Sequence, residues 1–148
     1  MKQNAKTICV KDIMTKYVIS VDSSVTVKDA AKMMEDTNVG AIVVIENNTP
    51  IGILTDRDFA IKVAAHEYPL TIPVKQVMSH PLYSVTPGES VWMIADFMYS
   101  KGIRKLPVID DRQLVGIVTA TDIVNQFAKA TEDEVRKMFH HALAKIYS

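Results

Sequence analysis

Apolar positions recur along the chain in two rhythms, and each rhythm occurs twice. Residues 18–21 and 82–85 are short runs of strand formers, each followed by a turn-prone stretch, Asp22-Ser23-Ser24 and Thr86-Pro87-Gly88. Helical spacing follows. Val27, Ala30, Ala31 and Met34 share one stripe at 3.6-residue periodicity, as do Val91, Ile94, Ala95 and Met98. Thr26 and Ser90 stand just before these stripes and predict N-caps, since a hydroxyl there satisfies open N–H groups of the first turn. Asp29, three residues after Thr26, resembles the partner of a capping box. Residues 41–45 and 106–109 are continuous apolar runs suited to strands buried on both faces. Polar turns at 47–50 and 110–113 lead back into strands over 51–55 and 114–119, and second helices are predicted over 56–65 and 121–130. The predicted unit is strand, helix, strand, strand, helix.

The unit is a repeat with a constant offset of 64 residues. Val10-Lys11-Asp12-Ile13-Met14-Thr15 matches Val74-Lys75-Gln76-Val77-Met78-Ser79, and Gly52-Ile53-Leu54-Thr55-Asp56-Arg57-Asp58 matches Gly116-Ile117-Val118-Thr119-Ala120-Thr121-Asp122. A unit of roughly 60 residues buries little surface alone, so the two copies are expected to pack face to face around a shared core. The expected organisation is a first copy with its lead-in over 1–65, a linker over 66–73, a second copy over 74–130 and a C-terminal helix over 131–148. Pro69 and Pro73 stiffen the linker into a joint. Thr131 and Glu134 form a capping-box pattern before the last helix, whose apolar face carries Val135, Met138, Phe139, Ala142 and Ile146. That face is expected to cover its own domain or to form part of a dimer contact.

Composition narrows the function. The 148 residues carry 17 Lys+Arg against 17 Asp+Glu, and a zero formal charge lacks the cationic surplus that nucleic-acid phosphates require. No apolar run approaches the roughly 20 residues of a membrane span, and the first six residues do not lead into an apolar signal core. The single cysteine, Cys9, fits a reducing compartment, so the expectation is a cytoplasmic protein with no nucleic-acid or membrane partner.

The sharpest motif is Gly-x-x-Thr-x-x-Asp, placed twice where a strand ends and a helix begins. Glycine admits a close backbone or a flat ligand, and threonine with the open helix start favours phosphate or sugar oxygens. An aspartate one turn later can accept two hydrogen bonds from a vicinal diol, so the spacing suits a ribonucleotide. The same Thr-x-x-Asp pattern is also a capping arrangement that needs no ligand. Other features carry less chemistry. His140 and His141 are adjacent and diverge on a helix, His66 and His80 are isolated, and no spacing calls for a metal. Asp56-Arg57-Asp58 has no nucleophile or base beside it, so no catalytic residues are assigned and no enzyme is expected. Met33, Met34, Met93 and Met98 read as gap fillers of the core, while Trp92 sits where the first copy has Lys28 and is expected to be an exposed interface anchor.

Taken together, these residues resemble the CBS (cystathionine β-synthase) domain family in the tandem form called a Bateman module. The carriers run from about Ile8 to Gln126: the two Val-Lys-x-apolar-Met-Thr/Ser openings, Asn38-Val39-Gly40-Ala41-Ile42-Val43-Val44, Gly102-Ile103-Arg104-Lys105-Leu106-Pro107-Val108, and both Gly-x-x-Thr-x-x-Asp segments. The resemblance implies an α/β (α+β) fold of two β-α-β-β-α repeats related by a pseudo-twofold axis, with ligand clefts between them and an added C-terminal helix. Its implied ligands are adenine nucleotides or adenosyl compounds: AMP, ADP, ATP or S-adenosylmethionine. Carried over by position, Asp58 and Asp122 would bind ribose, Thr55 and Thr119 ribose or phosphate, and Arg104 and Lys105 phosphate. Val18, Ile103 and Pro107 are candidates for the base pocket and equally for the core. Positions 40 and 41 are Gly and Ala, so the first copy lacks a basic pair and the two clefts should differ. The expected protein is a stand-alone, bacterial-type sensing module that signals to an unknown partner or across a homodimer. A ligand-independent interaction module is the alternative.

Overall fold

Each Val-Lys-x-x-Met opening crosses to the other copy, and the fold is built around this exchange. The computed structural model describes residues 8–129 and 132–147. Helix α1 (Val10–Ile13) precedes the first copy but packs on the second: Val10 N donates to Glu89 O at 2.9 Å, and Val91 N donates to Ile8 O at 3.1 Å. The short 3-10 turn Val74–Gln76 does the reverse, with Val74 N donating to Val25 O at 2.8 Å and Lys75 N to Ser23 O at 3.3 Å.

The apolar cores follow the same crossing. The first gathers Val21, Val27, Ala30, Met34, Ile42, Val44, Leu54 and Val63 with Val74, Val77 and Met78 from the other lead-in. The second gathers Val85, Val91, Ile94, Met98, Leu106, Val108, Val118 and Ile123 with Val10, and Ile13 and Met14 pack against it. Valine and isoleucine fill the strands because β-branched side chains suit a buried pleated surface.

In the first copy, β1 (Ser20–Asp22) pairs in parallel with β2 (Ala41–Glu46), which pairs antiparallel with β3 (Thr49–Thr55). Helix α2 (Val27–Thr37) lies between β1 and β2, and Thr26 Oγ1 accepts from Asp29 N at 3.2 Å as the N-cap. Asn47 and Asn48 take positive φ of 52° and 62°, which closes the β2–β3 hairpin in a two-residue turn. Helix α3 (Asp56–Asp58) continues as a π-helical stretch, Phe59–Ala64. In the second copy, α4 (Val91–Lys101) is capped by Ser90, β4 (Lys105–Asp110) pairs antiparallel with β5 (Gln113–Thr119), and α5 (Ala120–Lys129) is regular.

The copies differ where single residues differ. The strand expected over 82–85 is reduced to a bridge between Val85 and Val108. In the first copy Val43 N donates to Ile19 O at 2.9 Å, but its counterpart, Pro107, has no N–H to give. The expected first strand likewise begins two residues late, at Ser20. Ala31 is exposed, and Met33 packs against the core in its stead. Trp92 is not an exposed anchor: it meets Phe127 edge to face at 5.5 Å and packs against the second core.

Helix α6 (Glu132–Tyr147) docks on α4 through His141 Nε2 and Asp96 Oδ2, 2.9 Å apart, and buries Met138. Its expected apolar face divides, since Val135 is half-buried while Phe139 and Ala142 are exposed. The expected Thr131–Glu134 capping box and Ile146 lie outside the described residues and side chains. Among the described residues, no helix is long and apolar enough to cross a membrane.

The exchanged segments explain both motif glycines. A Cβ on Gly52 would collide with Met78 Sδ and come within 3.0 Å of Ser79 O, and one on Gly116 would come within 2.9 Å of Thr15 O. Gly52→Ala is expected to destabilise the protein by about 1–3 kcal/mol, because backbone must shift to relieve the contact. Gly88→Ala, where nothing lies within 4 Å, is the control and should unfold within about 0.5 kcal/mol of wild type in urea titration.

A surface pair fastens the second lead-in to β2: Lys75 Nζ donates to both Glu46 oxygens, at 2.8 and 3.0 Å, and Ser23 Oγ donates to Glu46 at 3.1 Å. The Lys75 contact first, and Ser23 second, hold the Glu46 carboxyl below its ordinary 4.5. A carboxylate whose folded pKa is depressed supports the fold fully above the unfolded value and loses that support as pH falls through the folded value. The advantage of wild type over Glu46→Gln in melting temperature should therefore be present at pH 7 and shrink below about pH 4.5.

Candidate functional site

Four chain segments converge where the two hairpins begin and end. Antiparallel pairing sets Ala41 opposite Thr55 and Lys105 opposite Thr119, so each Thr-x-x-Asp turn lies beside the first residue of the preceding strand. The lead-ins close over them. Thr15 bridges Ile117, and Ser79 bridges Ile53, which places each turn against the opening borrowed from the other copy.

A cavity of about 180 Å³ opens at one of these junctions. Thr15, Tyr17, Val18 and Ile19 form one wall, Val39, Gly40 and Ala41 a second, and Lys105, Ile117 and Thr119 the third. At the Thr119 wall, Asp122 closes a reciprocal capping box: Thr119 N donates to Asp122 Oδ2 at 2.8 Å and Asp122 N donates to Thr119 Oγ1 at 3.1 Å. Oδ1 of Asp122 has no protein donor among the described residues, and the side chain is half-buried. The motif thus caps the helix and leaves one carboxylate oxygen without a protein donor among the described residues. A larger and more polar depression, about 500 Å³, lies between the two hairpin tips and contains none of the motif residues. The extended lead-in separates the two spaces: Lys16 and Ser20 face the depression, Thr15, Tyr17 and Ile19 face the cavity, and Val18 borders both.

The residues singled out by sequence are distributed unevenly. Val18, Lys105 and Thr119 line the cavity, and Asp122 adjoins it through Thr119. The basic pair splits. Lys105 Nζ donates to Gly40 O at 3.1 Å and lies 3.5 Å from Asp56, whose side chain is 73% exposed, while Arg104 is exposed and lines neither space. Gly40 makes room for this reach, since a Cβ there would stand 3.0 Å from Lys105 Nζ. The absence of a basic pair at 40 and 41 is thus met by a lysine from the other copy. Ile103 packs against the second core and Pro107 is buried inside β4, and neither lines the cavity.

Thr55 and Asp58 occupy the matching junction, with Ser79 Oγ donating to Asp58 Oδ1 at 2.9 Å and Lys62 Nζ 3.0 Å from the same oxygen. Thr15, Tyr17, Ile19, Lys62 and Ser79 were not among the expected site residues. Thr15 and Ser79 end the repeated openings, and that position was the available signal. Among the described residues, no three His, Cys, Asp or Glu side chains gather as metal ligands.

The CBS domain family model matches residues 10–65 and 74–129, the greater part of the chain in two copies. The chain belongs to the CBS domain family. It is 42% identical over 120 residues to the CBS domain-containing protein YhcV of Bacillus subtilis (strain 168), covering 80% of this chain and 86% of that protein. The CBS domain pair of protein MJ0100, solved in complex with 5′-methylthioadenosine and S-adenosyl-L-methionine, superposes with a TM-score of 0.76 at 30% identity, covering 83% of this chain and 98% of that one. A hexameric CBS-CP12 protein from bloom-forming cyanobacteria superposes with a TM-score of 0.78 at 30% identity, covering 95% and 88%. The fold is therefore a pair of CBS repeats in a mixed α/β arrangement, as the sequence motifs imply.

Proposed function

We propose that this CBS pair is a cytoplasmic, non-catalytic regulatory module that binds an adenosine-bearing compound in the cavity beside Thr119 and Asp122. The open Oδ1 of Asp122 carries the proposal, because it can accept the vicinal hydroxyls of a ribose while Oδ2 caps α5. Val18, Ile19, Val39 and Ala41 offer apolar walls to a flat base, and Lys105 offers one cation to an anionic tail. The pair with Asp56 is exposed on the acid's side and worth little, so a phosphate can compete for Lys105. The adenosyl ligands of the MJ0100 pair support the same ligand class.

Binding between the copies would favour one relative angle of the two repeats, and coupling then equals the difference in affinity between angles. The altered surface would be read by a partner protein or a second copy in a homodimer. A ligand-independent interaction module is the second reading, favoured by the reciprocal capping box at Thr119 and Asp122, whose two hydrogen bonds are satisfied within the motif.

Titration calorimetry with AMP, ADP, ATP, S-adenosylmethionine and 5′-methylthioadenosine separates the two. The expected result is saturable binding, weakened at least about tenfold by Asp122→Ala, since hydrogen bonds to a charged group are worth about 1.5–3 kcal/mol. Lys105→Met should weaken AMP but leave 5′-methylthioadenosine within about twofold, because only AMP carries an anion. No saturable heat from any of the five compounds would overturn the ligand reading.

A further inference from the structure

The two Gly-x-x-Thr-x-x-Asp turns keep one register but differ in what holds the carboxylate. Asp58 is 5% exposed, and four donors converge on it. Thr55 N at 2.9 Å and Thr55 Oγ1 at 3.3 Å reach Oδ2, while Ser79 Oγ at 2.9 Å and Lys62 Nζ at 3.0 Å reach Oδ1. An ionised carboxylate offers about four lone-pair sites, so this one has none left for a diol. Lys62 is itself engaged elsewhere, donating to Val77 O at 2.9 Å and lying 3.4 Å from Met78 O. It stands in the π-helical stretch Phe59–Ala64 and bridges that stretch to the exchanged lead-in.

The second copy cannot build this arrangement. Sixty-four residues on from Lys62 is Gln126, which is neutral, and the counterpart of Ser79 is Thr15, exposed at the cavity wall. A ligand hydroxyl at Asp58 would have to displace a charge-assisted bond from a buried carboxylate whose acceptor sites are already filled, which is unfavourable.

We infer that Lys62 is an internal latch occupying the first motif in place of a ligand, so that the protein takes one adenosine-bearing ligand per chain, at Asp122. The stoichiometry rests on the ligand reading above; the latch stands on its own geometry. Asp58 is then a clasp on the exchanged segment, and the duplicated motif has divided into a binding copy and a structural copy.

Two experiments test this separately. In thermal unfolding of wild type, Asp58→Asn, Lys62→Met and the double variant, each single change should lower the midpoint by at least about 3 °C. The double variant should melt no lower than the worse single one, and additive losses would overturn the latch. In calorimetry with S-adenosylmethionine and AMP, wild type should bind one ligand per chain. Gln126→Lys, which places a lysine one turn from Asp122, should weaken binding at least tenfold while keeping the fold. Two equal sites in wild type, or unchanged affinity in Gln126→Lys, would overturn the inference. A wild type silent toward these two and toward ADP, ATP and 5′-methylthioadenosine would overturn the ligand reading, and the unfolding cycle would still decide the latch.

Discussion

The reciprocal exchange of the two lead-ins is the constraint on which the rest depends. Val74, Val77 and Met78 complete the first core, and Val10 completes the second. Each crossing also lays a backbone across the far end of a β-hairpin, and the bridges from Thr15 to Ile117 and Ser79 to Ile53 hold it there. Burial drives the crossing, backbone pairing sets its register, and the motif glycines clear the space it needs. The cavity at Thr119 exists because one of these borrowed segments forms its wall. Site and core therefore share their supports.

Within a frame of near symmetry, function is written in the exceptions. Pro107 in place of Val43 removes one donor and shortens a sheet. Gly40 in place of Arg104 opens a path for a lysine from the opposite copy. Lys62 in place of Gln126 adds a donor to Oδ1 of Asp58, whereas Oδ1 of Asp122 meets no donor among the described residues. Each substitution is a small local change, and those at Gly40 and Lys62 act at points where the two copies meet.

The helices, hairpins and caps were legible in the sequence because they answer to local rules. Thr26 and Ser90 cap as their hydroxyls predict, and Asn47-Asn48 turns where side chains tolerate positive φ. The repeat offset and the conserved spacing of the two motifs were legible for the same reason, as was the family. What escaped was long-range: the crossing of the lead-ins, the packing of Trp92 against Phe127, and the union of Val18, Gly40 and Lys105 around one cavity. Sequence spacing places Arg104 and Lys105 together, but Lys105 opens β4 and reaches Gly40 while Arg104 lies before the strand and is exposed, and only tertiary packing decides which one meets Gly40. Ile103 and Pro107 are apolar and adjacent to the motif, which does not separate a core position from a pocket one.

The short joint over 66–73 has a consequence of a different kind. Each copy finishes its core with a segment belonging to the other, so a lone copy could satisfy the same contacts only by finding a second molecule. Joining the copies through eight residues, two of them proline, replaces a bimolecular encounter with an internal one at an effective concentration in the millimolar range. Assembly of the two cores is thereby freed from protein concentration.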